Sequence, residues 1–110
     1  MRSGDNLVCA NELYGGSFSQ MKYTFKQLGI EARFVDMTKP ETFEQHIDEK
    51  TKCIYMETIS NPSYNVPDFD VVSGIAKKHQ IPLVVDNTFG MCGYTCRPLR
   101  LGANIVVQSA

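Results

Sequence analysis

The chain has 110 residues, enough for one domain, and at 43% hydrophobic and 21% charged it has the composition of an ordinary globular sequence. Eleven basic against twelve acidic residues give a net charge of −1, and the charges are interspersed, which excludes the electrostatic footprint of a nucleic-acid or membrane-surface binder. No apolar run approaches the roughly 18 residues of a membrane-spanning helix, and no charged-then-apolar leader opens the chain, so a cytoplasmic protein is expected.

The first predicted element is a strand at 6–10, "NLVCA". A helix comes next in "GSFSQMKYTFKQLG", where Phe18, Met21, Phe25 and Leu28 recur at helical spacing and Gly29 is placed to end it. A strand at 32–36, "ARFVD", leads to a second helix in "PETFEQHID", with Pro40 at its start and Phe43 and Ile47 one turn apart. The run "CIYME" predicts a strand at 53–57. In "DFDVVSGIAKKHQ", Asp68 is the N-cap of a third helix that buries Val71, Val72, Ile75 and Ala76 and closes on Lys77, Lys78 and His79, favourably near the negative end of its dipole. Strands at 83–86, "LVVD", and 104–108, "NIVVQ", complete the series.

Strand and helix alternating in this way predict right-handed βαβ units, hence an α/β fold of three layers, α/β/α, around a mostly parallel sheet. The continuous apolar run at 83–85 suits a strand buried on both faces. A hairpin turning at Asp86–Asn87 into 90–94 is the alternative, and it lacks the glycine that such a turn favours. The strands at 32–36, 53–57, 83–86 and 104–108 are expected as parallel neighbours, with Asn61 and Asp86 on one carboxyl edge. The chain opens almost at once on a strand and ends inside one, so residues 1–110 are expected to be one segment of a larger domain. Cys9, Cys53, Cys92 and Cys96 match neither a disulfide framework nor zinc-ligand spacing. They read as reduced packing thiols, with Cys92 and Cys96 the one pair close enough to test and no metal expected.

Ligands of open α/β sheets bind beyond the carboxyl ends of the strands. Three polar clusters fall there: "NELYGGS" after the first strand, "TISNP" after 53–57 and "DNTFG" from Asp86. Taken singly, each has a plain structural reading as an aromatic lid on a turn, a turn initiator or a loop carboxylate. Asp86 poses the sharper question, because a carboxylate ending an apolar strand costs several kcal/mol, of the order set by charge burial, unless a positive partner meets it.

As a set, "ELYGGSFSQ", "YMETISNPSYNVPDF", "IPLVVDNTFG" and "RPLRLGANIVVQSA" resemble consecutive blocks of the Cys/Met-metabolism family of pyridoxal-phosphate enzymes, over essentially the whole chain. Within it, "LGIEARFV", "TISNPSYNVPDF" and "DNTFGMCGY" look most like the O-acetylhomoserine/O-acetylserine sulfhydrylase branch. The resemblance implies a segment of a fold-type-I large domain and pyridoxal 5'-phosphate as cofactor. It also implies γ-replacement of acetate on O-acetylhomoserine by sulfide, in a homotetrameric parent acting on small molecules. Asp86 would then pair with the cofactor's ring nitrogen and keep the ring an electron sink. Tyr14 would stack on the ring and lend its hydroxyl near the reacting carbons. Asn61, aimed by the turn at Pro62, would bond the phenolic oxygen and the substrate carboxylate region, and Ser109 the phosphate. Thr88 and Glu57 would support these groups.

The lysine that the family joins to its cofactor would fall two positions beyond Ala110, so this segment alone is expected to be inactive. Gln108, Asn104 and Cys92 depart from the histidine, aspartate and small residue usual there. Two rival readings stay open: cystathionine γ-synthase or γ-lyase chemistry within the family, and a non-catalytic α/β fragment that only packs against a partner.

Overall fold

The computed structural model describes residues 1–110. Its centre is one five-stranded sheet of order β2-β1-β3-β4-β5, with β1 Asn6–Ala10, β2 Glu31–Val35, β3 Thr51–Glu57, β4 Leu83–Asp86 and β5 Ile105–Val107. Every pairing is parallel. The hairpin alternative is absent: after Asp86 the chain turns into a short 3-10 segment, Thr88–Gly93, and β4 pairs with β3 and β5.

One neighbour relation differs from expectation. The 32–36 run lies beside β1 and not beside 53–57, because β1 takes the place between them and pairs with both. The second strand therefore takes one edge of β1 and the third takes the other. Right-handed crossovers that run in opposite directions across the sheet, β1 to β2 and β3 to β4, place their helices on opposite faces.

The register separates those faces. Val8, Ala10, Ile54, Met56, Leu83 and Val85 share one face, and all of them are fully buried. It is covered by α3, Phe69–Lys78, which packs on β4 and on the 3-10 turns Pro40–His46 and Pro98–Leu101. On the other face lie Leu7, Cys9, Tyr55, Glu57, Val84 and Asp86. Over β1 and β2 it is covered by a helical run made of α1 Gly15–Ser19, a π turn Gln20–Thr24 and α2 Phe25–Gln27, with Phe18 against Phe34 at 4.7 Å between ring centroids. Over β5 the cover stops, and Ile105 and Val107 are exposed.

Three helix expectations are adjusted. The π turn adds a residue and rotates the downstream positions by roughly 100°, so Leu28 swings off the buried face and is exposed, while Gly29 ends the run at φ 74° as expected. Of the helix expected at 40–48 only a 3-10 turn forms, Pro40–His46, because a run of seven residues that is already extended at Ile47 is too short to offset helix nucleation. It buries Phe43 and is tied to α3 by Glu44, which meets Lys78 Nζ at 2.6 Å and His79 Nε2 at 2.7 Å. In α3 the buried positions are Phe69, Val72, Ile75 and Ala76; Phe69 takes the place expected for Val71, which is exposed. The Asp68 cap forms as expected, accepting the Val71 amide at 3.1 Å. Asp68→Ala is expected to cost about 1 kcal/mol, read from the midpoint of urea unfolding at unchanged slope.

Candidate active site

With β2 on one side of β1 and β3 on the other, the sheet has a topological switch point between β1 and β3, where the loops leaving the carboxyl ends part and open a crevice. Beside it, Tyr14, Glu57, Ile59, Asn61, Asp86, Thr88, Phe89 and Ser109 line a cleft of about 280 Å3. Tyr14, Asn61, Asp86, Thr88 and Ser109, scattered over the sequence, thus meet in one place together with Glu57. A wider groove of about 770 Å3 between α3 and Leu101–Gly102 holds Asp70 and Lys77 but no aromatic side chain, and lies away from these loop ends.

Asp86 stands at the last position of β4, level with Glu57 on β3 and Val107 on β5. Its two oxygens are treated unequally. Oδ1 accepts from the Thr88 amide at 2.9 Å and from the Thr88 hydroxyl at 2.5 Å, a short local turn that fixes the carboxylate plane. Oδ2 has one long contact, the Tyr55 hydroxyl at 3.4 Å. Burial first, and the Asp86 charge second, push the Tyr55 phenol up to about 12, so it stays a proton donor. No cation of the chain pairs with Asp86, and Oδ2 keeps acceptor capacity on the cleft.

Tyr14 closes the opposite wall. Its amide donates to Glu57 Oε1 at 2.7 Å, which holds the start of α1 against the end of β3. Of the two glycines after it, Gly16 lies under the ring, where a Cβ would stand 2.9 Å from Cε1 and push the exposed ring aside, while a Cβ on Gly15 would meet nothing within 4 Å. Glu57 is buried, and its carboxyl is raised from the ordinary range, mainly by desolvation and further by Asp86; the Tyr14 amide works against this.

Asn87, 2% exposed, braces the site from below. Thr58 donates to its Oδ1 at 2.6 Å, and its Nδ2 donates to the Cys96 carbonyl at 3.1 Å and more distantly to Gln108 Oε1 at 3.4 Å. Ser109 joins through its amide, which donates to Thr88 Oγ1 at 3.0 Å, so one threonine links the ends of β4 and β5.

Ile59, Phe89 and Tyr55 were not among the expected site residues. Ile59 and Phe89 sit inside the polar clusters and supply apolar wall; Tyr55 was legible from strand periodicity, two positions before Glu57 and on its face. The departures from the family pattern have local accounts. Asn104 Oδ1 accepts the Leu83 amide at 2.8 Å while its own amide donates to the Leu83 carbonyl at 2.9 Å, an acceptor task that an aspartate does equally. Gln108 donates to Cys92 Sγ at 3.4 Å. Cys92 has φ 55°, a left-handed conformation that favours glycine, which accounts for the small residue usual at that position. All four cysteines are unpaired. Cys9 and Cys53 pack in or against the core, and burial pushes the Cys9 thiol up to about 12.

Known proteins agree with this geometry. The homocysteine/cysteine synthase of Kluyveromyces lactis is 58% identical over 108 residues, which is 98% of this chain and 24% of the relative. The protein of the same name from Saccharomyces cerevisiae is 57% identical over the same shares. A crystal structure of an O-acetylhomoserine (thiol)-lyase from Campylobacter jejuni, described with N'-pyridoxyl-lysine-5'-monophosphate, superimposes with a TM-score of 0.94 at 37% identity, over 98% of this chain and 27% of that one. The chain thus spans about a quarter of the length of these relatives. The family described as Cys/Met metabolism PLP-dependent enzyme matches residues 1–110 throughout. With the sheet order, the loop-end cleft and this full-length match in agreement, the chain belongs to the Cys/Met-metabolism family of pyridoxal-phosphate-dependent enzymes.

Proposed function

We propose that the complete protein is an O-acetylhomoserine sulfhydrylase, converting O-acetylhomoserine and sulfide to homocysteine and acetate with pyridoxal 5'-phosphate. The observation that carries this reading is the half-satisfied carboxylate: Asp86, whose Oδ2 has one 3.4 Å contact, lines a cleft with Tyr14, Asn61 and Ser109. That donor set fits a planar, cationic heteroaromatic ring bearing a phosphate. It offers a carboxylate for a ring N–H, an aromatic face for the ring, and neutral donors for anionic oxygens. The names of the relatives, homocysteine/cysteine synthases and an O-acetylhomoserine (thiol)-lyase, support the choice of reaction within the family.

When bound, the cofactor supplies an electron sink for the carbanions formed next to the amino acid's nitrogen. The side chains of this segment do the rest of the local work. Asp86 Oδ2 holds the proton on the ring nitrogen, and the Thr88 bonds to Oδ1 keep that carboxylate from rotating away. Tyr14 covers the ring and excludes water from one side. Asn61 donates to the phenolic oxygen and orients the substrate carboxylate, Ser109 donates to the phosphate, and Glu57 keeps Tyr14 in place through its amide. Binding energy spent on the carboxylate and phosphate lets acetate leave, and sulfide enter, at a γ-carbon held in one position.

We propose further that the parent is a cytoplasmic homotetramer; the compartment is supported by Cys9, unpaired in the core, and by Cys53 and Cys96, unpaired against it. The reaction is tested on the complete protein by offering O-acetylhomoserine with sulfide or with cysteine. Homocysteine formed at least tenfold faster than cystathionine is the expected result, and a tenfold difference corresponds to about 1.4 kcal/mol of barrier. Predominant cystathionine, or release of 2-oxobutyrate without a thiol, would move the assignment to another branch.

A further inference from the structure

Glu12 lines no part of the cleft, yet it accepts three hydrogen bonds beside it. Its Oε2 accepts the Ser60 hydroxyl at 2.9 Å, and the Asn65 side-chain amide donates to both of its oxygens, at 2.9 and 3.2 Å. Ser60, 0% exposed, is also the centre of a closed loop: its hydroxyl accepts the Asn65 amide at 2.9 Å, and its own amide donates to the Asn65 carbonyl at 2.9 Å. Asn61 lies inside that ring of bonds. The loop after β1 thus holds the loop after β3 through Glu12, while the end of β3 holds the loop after β1 through Glu57 and the Tyr14 amide at 2.7 Å.

Each loop lends the other a carboxylate across the switch point. Two loops leaving neighbouring strands diverge unless something ties them, and charge-assisted bonds are the strong ties available to polar loops. We propose that Glu12 is a positioning residue: through Ser60 and Asn65 it preorganises the 60–65 loop so that Asn61 stands ready in the cleft opposite Tyr14. The proposal rests on the reading that Asn61 contacts the cofactor. Without Glu12 the loop samples open states, and apparent affinity falls by the fraction of closed loop remaining, whereas turnover at saturation does not.

The test uses the complete protein with Glu12→Ala, Glu12→Gln, Ser60→Ala and the Glu12→Ala/Ser60→Ala double substitution. In cofactor-free protein, amide exchange at Ser60, Tyr64 and Asn65 should accelerate about tenfold in Glu12→Ala while the β1 and β3 strand amides keep their rates. The dissociation constant for pyridoxal phosphate and the KM for the amino acid should rise about tenfold, with kcat within about twofold of the parent. Glu12→Gln, which keeps an acceptor for Asn65, should recover to within about threefold. The double substitution should cost little more than either single one, as expected for members of one network. Unchanged exchange at 60–65, or faster exchange with unchanged cofactor affinity, overturns the proposal. A drop in specific activity that tracks lost stability, with KM unmoved, overturns it too. If the unsubstituted protein takes up no pyridoxal phosphate, the functional reading falls and this proposal with it.

Discussion

Asp86→Asn in the complete protein should abolish homocysteine synthesis, with a loss of about 10²- to 10⁴-fold in kcat/KM, while the fold and some cofactor binding survive. The magnitude comes from breaking a desolvated charge pair, roughly 3–5 kcal/mol, converted at about 1.4 kcal/mol per tenfold in rate. Asparagine suits the test because it keeps the side-chain oxygen that the Thr88 amide and hydroxyl bond, so the loop turn at 86–88 persists. What it removes is the charge behind Oδ2, and with it the proton on the ring nitrogen. The checks are steady-state turnover and the visible absorption band of the bound cofactor, with circular dichroism to show an intact fold. Near-normal turnover would make Asp86 a loop carboxylate held by Thr88 and nothing more, and the reading of the site would fail.

Gly90→Ala should lower stability by about 3 kcal/mol, the sum of overpacking and broken buried hydrogen bonds. Gly90 is buried, and a Cβ there would stand 1.8 Å from Asn87 Oδ1 and 2.4 Å from Asn87 Cγ. The Asn87 side chain cannot move aside without giving up Thr58 at 2.6 Å and the Cys96 carbonyl at 3.1 Å. Gly74 is the matched control, since a Cβ on it meets nothing within 4 Å in the middle of α3. Gly74→Ala should stabilise by about 0.5–1 kcal/mol, because alanine loses less backbone entropy in a helix. Urea midpoints of the two variants should move in opposite directions. A Gly90→Ala midpoint within experimental scatter of the parent would show that the turn after β4 relaxes freely and does not brace the site.

The strands and α3 were legible for a simple reason: their local preferences and their burial agree. β1 is buried along its length and apolar from Leu7 to Ala10 because it lies between β2 and β3, and α3 carries its cap at Asp68 and its cations at the far end. Elements at the margin read less well. The run Pro40–His46 has the spacing of a helix turn, but seven residues do not propagate one against its nucleation cost. The π turn at Gln20–Thr24 leaves no mark in an apolar pattern, and it is what exposes Leu28.

The parallel α/β class was legible in the sequence from its alternating strand and helix patterns, and the resemblance of its polar blocks to a known family pointed to Tyr14, Asn61, Asp86, Thr88 and Ser109, which line one cleft. Only the tertiary structure decided that β2 flanks β1 and so opens the crevice between β1 and β3. It alone set Asp86 Oδ2 against the Tyr55 hydroxyl, from a residue 31 positions earlier, and tied Glu12 to Ser60 and Asn65, 48 and 53 residues further along the chain. Such contacts depend on the register of strands distant in sequence, and register is set by burial of whole faces, which no short stretch of residues encodes.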